Sequence, residues 1–246
     1  VSEFREARGW LDRLPRGLPV VVTAGNHDVP LYRVWERLTA PFRNYREWIS
    51  PELDAVTRIP GVTAVSLCSA APHRAIVNGR IRPRQLEFAE RAFREGEEGA
   101  FRVLMVHHHL APAPDYEKDH PVPGAGRILE SLEGMEVELV LSGHLHRAYI
   151  GNSLDVYPGE DRERGVVIVH SGTTTSRRGR ARERAKQSFN LIRVSETRVE
   201  IMHYMNFASS GGFEPFSAHL FPRRPALHFQ APPFQAEESG GGPRLP

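Results

Sequence analysis

Short apolar runs, each closed by polar or turn-forming residues, punctuate the chain and predict strands at Val20–Thr23, Thr63–Leu67, Phe101–Val106, Val137–Ser142 and Val166–His170. Between them the apolar positions change to helical spacing. Ser2–Leu14 places Phe4, Ala7, Trp10, Leu11 and Leu14 on one face, and Pro15 and Gly17 end it. Helical stretches follow at Leu31–Leu38, after Pro30, and at Arg43–Ile49. Asn78-Gly79 marks a turn. Arg82-Pro83 then opens a helix through Arg94 that turns Leu86, Ala89 and Phe93 inward. A short helix is expected over Ile128–Leu132. Phe189–Val194 and Val199–Met205 read as a hairpin around a turn at Ser195–Arg198. Strand–helix pairs first and mostly strands later predict an α/β fold of two packed sheets with flanking helices.

Two stretches fall outside this pattern. Ala111–Gly126 is rich in proline and charge, including Asp115, Tyr116, Asp119 and His120, and has the character of a lid loop. From Pro225 the chain is rich in Pro, Gly and Gln, so a domain over residues 1–223 and a disordered tail over 224–246 are expected.

Composition narrows the class. A chain of 246 residues with 40% apolar and 25% charged residues can bury the core of one globular domain. The net charge of +2 rests on arginine, since Lys118 and Lys186 are the only lysines. No clustered basic face of a nucleic-acid protein is visible, and no apolar run has the length of a membrane span. The sequence does not set the oligomeric state. The local cluster from Arg177 to Arg182 alternates with Gly179, Ala181 and then Glu183, and reads as a solvated loop. Cys68 is the single cysteine, which excludes an intrachain disulfide. It follows an apolar run and is expected as a buried thiol. A reducing, cytoplasmic location is the expectation.

The chemistry gathers at three strand ends. Leu139-Val140-Leu141-Ser142 runs into Gly143-His144-Leu145-His146, where Gly143 is expected to let the backbone turn so that both imidazoles point at one centre. Val20–Ala24 leads into Gly25-Asn26-His27-Asp28, and Val103–Val106 into His107-His108-His109. In open α/β sheets ligands collect beyond the carboxyl ends of the strands. Imidazoles placed there suit a divalent transition metal.

Gly-Asn-His-Asp, a histidine cluster and Gly-His-x-His, in this order, resemble the calcineurin-like metallophosphoesterases from about Ser2 to about Arg223. The resemblance implies a four-layer α/β/β/α sandwich that hydrolyses a phosphomonoester or phosphodiester. It implies two divalent ions (Mn, Fe or Zn) that clamp the attacking and leaving oxygens. Asn26, His107 and His144 would hold one ion and His146 would belong to the other, with His108 the alternative to His107. His27 would stand over the metals as the acid or charge-stabilising group. Asp28 would orient His27 or cap the following helix. His109 is expected to pack or bond locally. His73, His170, His203, His219 and His228 match no motif. The partner implied is a small phosphoester substrate.

One departure qualifies the expectation. The family's Asp-x-His and Gly-Asp motifs, which precede Gly-Asn-His, are not found, so the chain reads as beginning just after Gly-Asp. At most about one ion and little activity are then expected of this chain. The other reading is a non-catalytic remnant, or a metal-binding module completed by a partner.

Overall fold

The structure, a computed structural model, describes residues 1–73, 77–112, 120–160, 162, 164–176, 178–209 and 211–223. The expectations for Asp115, Tyr116, Asp119 and the 224–246 tail lie outside the described residues.

The frame is a six-stranded sheet in the order β1-β2-β3-β4-β6-β5. The strands are β1 (Ala55–Ile59), β2 (Val62–Leu67), β3 (Phe101–Val106), β4 (Leu139–Ser142), β5 (Tyr149–Asn152) and β6 (Val167–His170). β2, β3, β4 and β6 pair in parallel, and β1 and β5 close the edges antiparallel. Parallel strands are covered on both faces, which explains their near-continuous Val, Leu and Ile runs.

The alternation along each strand sorts those runs into two cores. Val65, Leu67, Leu104, Val106, Val140 and Ile168 face the helices α4 (Pro83–Arg94) and α5 (Ala125–Gly134), where they meet Phe93, Leu129 and Leu132. Pro83 starts α4 at a position that needs no N–H, and the Gln85 side chain accepts the N–H of Arg82 at 2.9 Å. Phe101, Val103, Leu139, Val167 and Val169 face the other way, against Val199 and Ile201. These belong to a second, antiparallel sheet of β7 (Ser188–Val194), β8 (Arg198–Phe207) and β9 (Gly212–Pro222), in the order β7-β8-β9. The described elements thus stack as helix, sheet, sheet. Burying each large apolar side chain between layers contributes about 1.5–3 kcal/mol.

A third, smaller cluster holds the start of the chain to the end of β2. Ala24, Val29, Tyr45, Cys68 and Ala70 are buried together, flanked by Phe4, Phe42, Ile49 and Leu53. These flanking residues come from α1 (Ser2–Leu11) and from the stretch around α2 (Val34–Thr39) and α3 (Arg43–Trp48). Cys68 is buried, as its place in the sequence suggests, and burial pushes its thiol up to about 11.

Two expectations are corrected here. Val20–Thr23 forms no strand: it has no ladder partner among the described residues, and Val20 is 43% exposed. An apolar run becomes a strand only where a neighbour takes its backbone groups. Among the described residues, the bond seen from this run to the sheet goes from the Thr23 hydroxyl to the Leu67 carbonyl at 3.2 Å. The apolar face of α1 is also not a core face, since Ala7 and Trp10 are exposed and Phe4 is half-buried. Among the described residues no helix is long and apolar enough to cross a membrane.

Because β2, β3, β4 and β6 run the same way, their carboxyl ends open at one edge. Ser69, His107–His109, Gly143–His146 and Ser171 all follow those ends.

Candidate metal centre

Three chain segments meet at that edge. Gly25-Asn26-His27-Asp28 is folded into a tight turn with a single 3-10 helical turn over Asn26–Asp28. The Asp28 carboxylate accepts the N–H of Gly25 at 2.7 Å, and the Gly25 carbonyl accepts the N–H of Asp28 at 3.2 Å. Burial raises the Asp28 pKa, with the Gly25 N–H opposing it. The hydrogen bond recorded for Asp28 therefore closes the turn. Gly25 is needed for contact, since a Cβ there would lie 2.8 Å from the His107 ring.

The turn delivers the Asn26 side-chain oxygen to 2.9 Å from His107 Nε2. The same Nε2 lies 3.2 Å from His144 Nδ1. His108 completes the group: the ligand atoms of His107, His108 and His144 all lie within 4.8 Å of one another. The sequence left His107 and His108 as alternatives for one place, and the structure brings both to it. Ser69, at the end of β2, explains how. Its hydroxyl lies 2.8 Å from His108 Nδ1 and accepts the His108 backbone N–H at 3.0 Å. Gly79, at φ 67°, makes room, because a Cβ there would lie 2.4 Å from the His108 ring.

The turn after β4 differs from the expectation. Gly143 is not among the residues with positive φ, whereas His144 (67°) and His146 (55°) are. Left-handed backbone is costly for a residue with a Cβ and is held only where surroundings fix it. Those restraints are visible. Gly143 donates its N–H to the His107 carbonyl at 3.0 Å, and the His146 carbonyl accepts the N–H of Arg180 at 2.9 Å. Glu183, fully buried, accepts the Ala148 N–H and the Ser188 hydroxyl. No sequence signal marked Glu183 for this role.

His146 lies outside the three-imidazole group but is close enough to act on it. His27 is exposed, acts on both His107 and His146, and lines an open cleft of about 300 Å³ with Phe4, Leu31, Tyr32 and Arg33. His109 stacks on His144 at 5.9 Å and meets His170 at 5.7 Å. His120 is exposed.

Burial, reinforced by the neighbouring imidazoles of His108 and His144, pushes the His107 pKa down to about 2. Burial followed by Arg180, His27 and Arg178 lowers that of His146. At neutral pH these rings are uncharged and keep lone pairs for a ligand. An amide oxygen and three imidazoles converging on one point fit a divalent transition metal. Among the described residues no carboxylate joins the group.

The sequence profile of the calcineurin-like phosphoesterases matches residues 3–148, which contain all of this centre. A protein of Synechococcus sp. named "probable cyclic nucleotide phosphodiesterase" is 31% identical over 166 residues, covering 64% of this chain and 57% of that protein. The chain thus spans little more than half the length of that curated relative. The solved structure of PhoD superposes with a TM-score of 0.50 at 10% identity, over 75% of this chain and 47% of the other, a likeness of fold alone.

Proposed function

Since the chain belongs to the calcineurin-like phosphoesterase family, we propose that its strand-end centre serves metal-dependent hydrolysis of a small phosphoester, with a phosphodiester such as a cyclic nucleotide as the first substrate class. The observation that supports this reading is the convergence of Asn26 Oδ1, His107 Nε2 and His144 Nδ1 within 2.9–3.2 Å steps, with His108 in the same group. The name of the Synechococcus relative supplies the substrate class.

In this reading Asn26, His107, His108 and His144 hold one divalent ion, of the Mn, Fe or Zn kind. A bound ion of this type polarises phosphoryl oxygens and makes water nucleophilic at neutral pH. The chain's own residues do the rest. Burial keeps His107 uncharged, so no proton competes for its lone pair. The Ser69 hydroxyl fixes the His108 ring, the kind of outer contact that orients a ligating imidazole. His27, exposed beside Asn26, would protonate the leaving alkoxide. Asp28 is a positioning residue that closes the turn carrying Asn26 and His27.

One ion per chain is the stoichiometry these donors support. A two-ion centre would use His146 and further donors, carboxylates above all. The lack of a carboxylate in the group among the described residues favours a second reading, a metal-binding module that needs other donors for turnover. One experiment separates them. Metal content is measured beside hydrolysis of bis(p-nitrophenyl) phosphate with added Mn, in the protein and in His144→Ala. Turnover that needs metal and is lost with His144 supports the hydrolase. A tightly held ion without turnover supports the module. Full turnover in metal-free protein would sink both.

A further inference from the structure

Left-handed backbone is concentrated in two segments. Among the described residues, five other than glycine adopt it: Glu136, His144, His146, Ala181 and Ala185. Four of the five lie in the histidine turn and in the arginine-rich segment around residue 180, which reads in sequence as a solvated loop. Backbone of this kind persists only where the surroundings over-determine it, and it gathers at functional sites. The two segments are bonded to each other. Arg180 donates its backbone N–H to the His146 carbonyl at 2.9 Å. Glu183, fully buried and placed along the chain between Ala181 and Ala185, accepts the Ala148 N–H with its carboxylate.

Glu183 is itself fixed. Its other carboxylate oxygen accepts the hydroxyl of Ser188, at the start of β7. Ser188 donates its N–H to the Thr173 carbonyl at 2.9 Å, in the turn after β6. Gly172 in that turn comes so close that a Cβ on it would overlap the carboxylate. Gly179 is buried on another side, where a Cβ would overlap the Glu183 carbonyl. That carbonyl accepts the N–H of Lys186 at 2.9 Å. One side chain thus gathers the histidine turn, the turn after β6 and the start of the second sheet. It does so from beyond residue 148, where the match to the family profile ends.

We propose that Glu183 is a positioning residue of the metal centre: by holding Ala148 it keeps the His144–His146 turn left-handed, and so keeps His144 beside His107 and His108 for the ion. The inference rests on the metal-centre reading and adds to it a residue that acts through the turn rather than on the ion. The near end of the turn is held by Gly143, whose N–H reaches the His107 carbonyl at 3.0 Å. Its far end depends on the Arg180 and Glu183 bonds. Without the Glu183 bond the turn is free to relax towards the backbone that residues with a Cβ prefer. An ion would then have to re-form the turn on binding, and that ordering cost would weaken its hold. The donors to Glu183, an amide and a hydroxyl, are neutral. A buried carboxylate so bonded costs more to desolvate than an apolar side chain of its size, which fits a residue kept for position.

The test compares wild type, Glu183→Ala, Glu183→Gln and Ser188→Ala by calorimetric titration with Mn, by the absorption spectrum of the cobalt(II)-loaded protein and by urea unfolding. Glu183→Ala is expected to bind Mn about tenfold or more weakly, the usual loss when a contact that orients a ligand is removed, and to show an altered cobalt spectrum. Glu183→Gln keeps an acceptor for the Ala148 N–H and is expected to stay within about threefold of wild type. Ser188→Ala removes a buried hydrogen bond but leaves the Ala148 bond in place. It is expected to lower the urea midpoint while Mn affinity and the cobalt spectrum stay those of wild type. Glu183→Met fills the same space without an oxygen acceptor and is expected to repeat the alanine result should Glu183→Ala not fold. Unchanged Mn affinity in Glu183→Ala or Glu183→Met overturns the role. So does an equal loss in Ser188→Ala, because affinity would then merely follow stability. If wild type binds no Mn, the metal-centre reading falls, and the role of Glu183 with it.

Discussion

The Asn26 side-chain oxygen and Nε2 of His107 meet at 2.9 Å across 81 positions of sequence. Two separate strand-end motifs therefore share one point. The contact depends on Gly25 next door, because any side chain there would strike the His107 ring.

From this pairing, Asn26→Ala is expected to weaken Mn binding by about tenfold or more, since one polar contact to a charged group is worth about 1.5–3 kcal/mol. The fold should be little affected, because Asn26 lies in a turn closed by Asp28 and Gly25 rather than by its own side chain. Calorimetric titration with Mn checks the first statement and urea unfolding the second. Unchanged affinity would remove Asn26 from the donor set.

His27 sits beside Asn26 but is exposed and outside the imidazole group. His27→Ala is expected to lower turnover of a phosphodiester by about 10²–10⁴-fold, the usual contribution of general acid catalysis, with metal content unchanged. Restoring much of the rate with a substrate whose leaving group needs no proton, such as a p-nitrophenyl ester, would mark the acid role. Loss of the ion in this variant would make His27 a ligand instead.

The sequence showed the frame better than the site. β3 has the bounds expected for it, and β2, β4, β6, β7 and β8 fall within a few residues of theirs, because buried parallel strands and hairpins leave strong apolar runs. β9 was not anticipated. Pro215 interrupts its pattern, and it is tolerated because β9 is an edge strand with a register shift opposite His203 and Tyr204. β1 and β5 were missed as short edge strands that mix polar and apolar residues. Val20–Thr23 has the pattern of a strand but no partner among the described residues, and pattern alone cannot supply one. At the centre, the family resemblance named Asn26, His107, His144 and His146, with His108 as the alternative to His107. It could not show that His107 and His108 come together while His146 lies outside their group, because the place of His108 depends on Ser69 arriving from another strand. Nor could it show that the left-handed backbone falls on His144 and His146 rather than on Gly143.

His170 ends β6 in a position no motif explained. It is fully buried, and both ring nitrogens lack a hydrogen-bond partner among the described residues. Burial, then His109, pushes its pKa from 6.5 down to about 3. The folded state therefore holds the neutral ring. Its contribution to stability is fully present above the unfolded pKa of 6.5 and is lost as pH falls towards about 3. His170→Leu removes two unpaired buried nitrogens and the titration with them. It is expected to raise stability by about 1 kcal/mol near neutral pH and to flatten the decline on the acid side. Urea unfolding between about pH 4 and about pH 8 checks this. A less stable variant with the same acid slope would show that the ring is held by a contact unlike those seen.

Arg223 is where β9 hands over to the end of the described chain, and it fastens both sheets. Its guanidinium takes the Glu138 carboxylate by two bonds, Nε to Oε2 at 3.0 Å and Nη2 to Oε1 at 2.9 Å. Both side chains are nearly buried, at 12% and 11% exposure. Nη1 bonds the Ser195 carbonyl at 2.7 Å, in the turn between β7 and β8, and the guanidinium lies 5.0 Å over the Phe101 ring of β3. Glu138 in turn donates its N–H to Arg102 at 3.0 Å, just before β4. One side chain therefore ties the small sheet to the large one at the end of the strands remote from the metal centre. Arg223→Ala is expected to cost about 3 kcal/mol, because it strands a buried carboxylate. Arg223→Lys keeps the charge but not the two-pronged geometry and should recover only part of this. Arg223→Ala/Glu138→Ala should be less destabilised than the two single variants summed, since the stranded charge is gone. Metal affinity should be unchanged in all the variants, because the pair sits at the opposite end of β4 from His144. Urea unfolding and Mn titration of wild type, Arg223→Ala, Arg223→Lys, Glu138→Ala and the double variant decide it. Additive losses would mean that the two side chains act separately, and the tie between the sheets would have to be sought in the apolar contacts of Val199 and Ile201 alone.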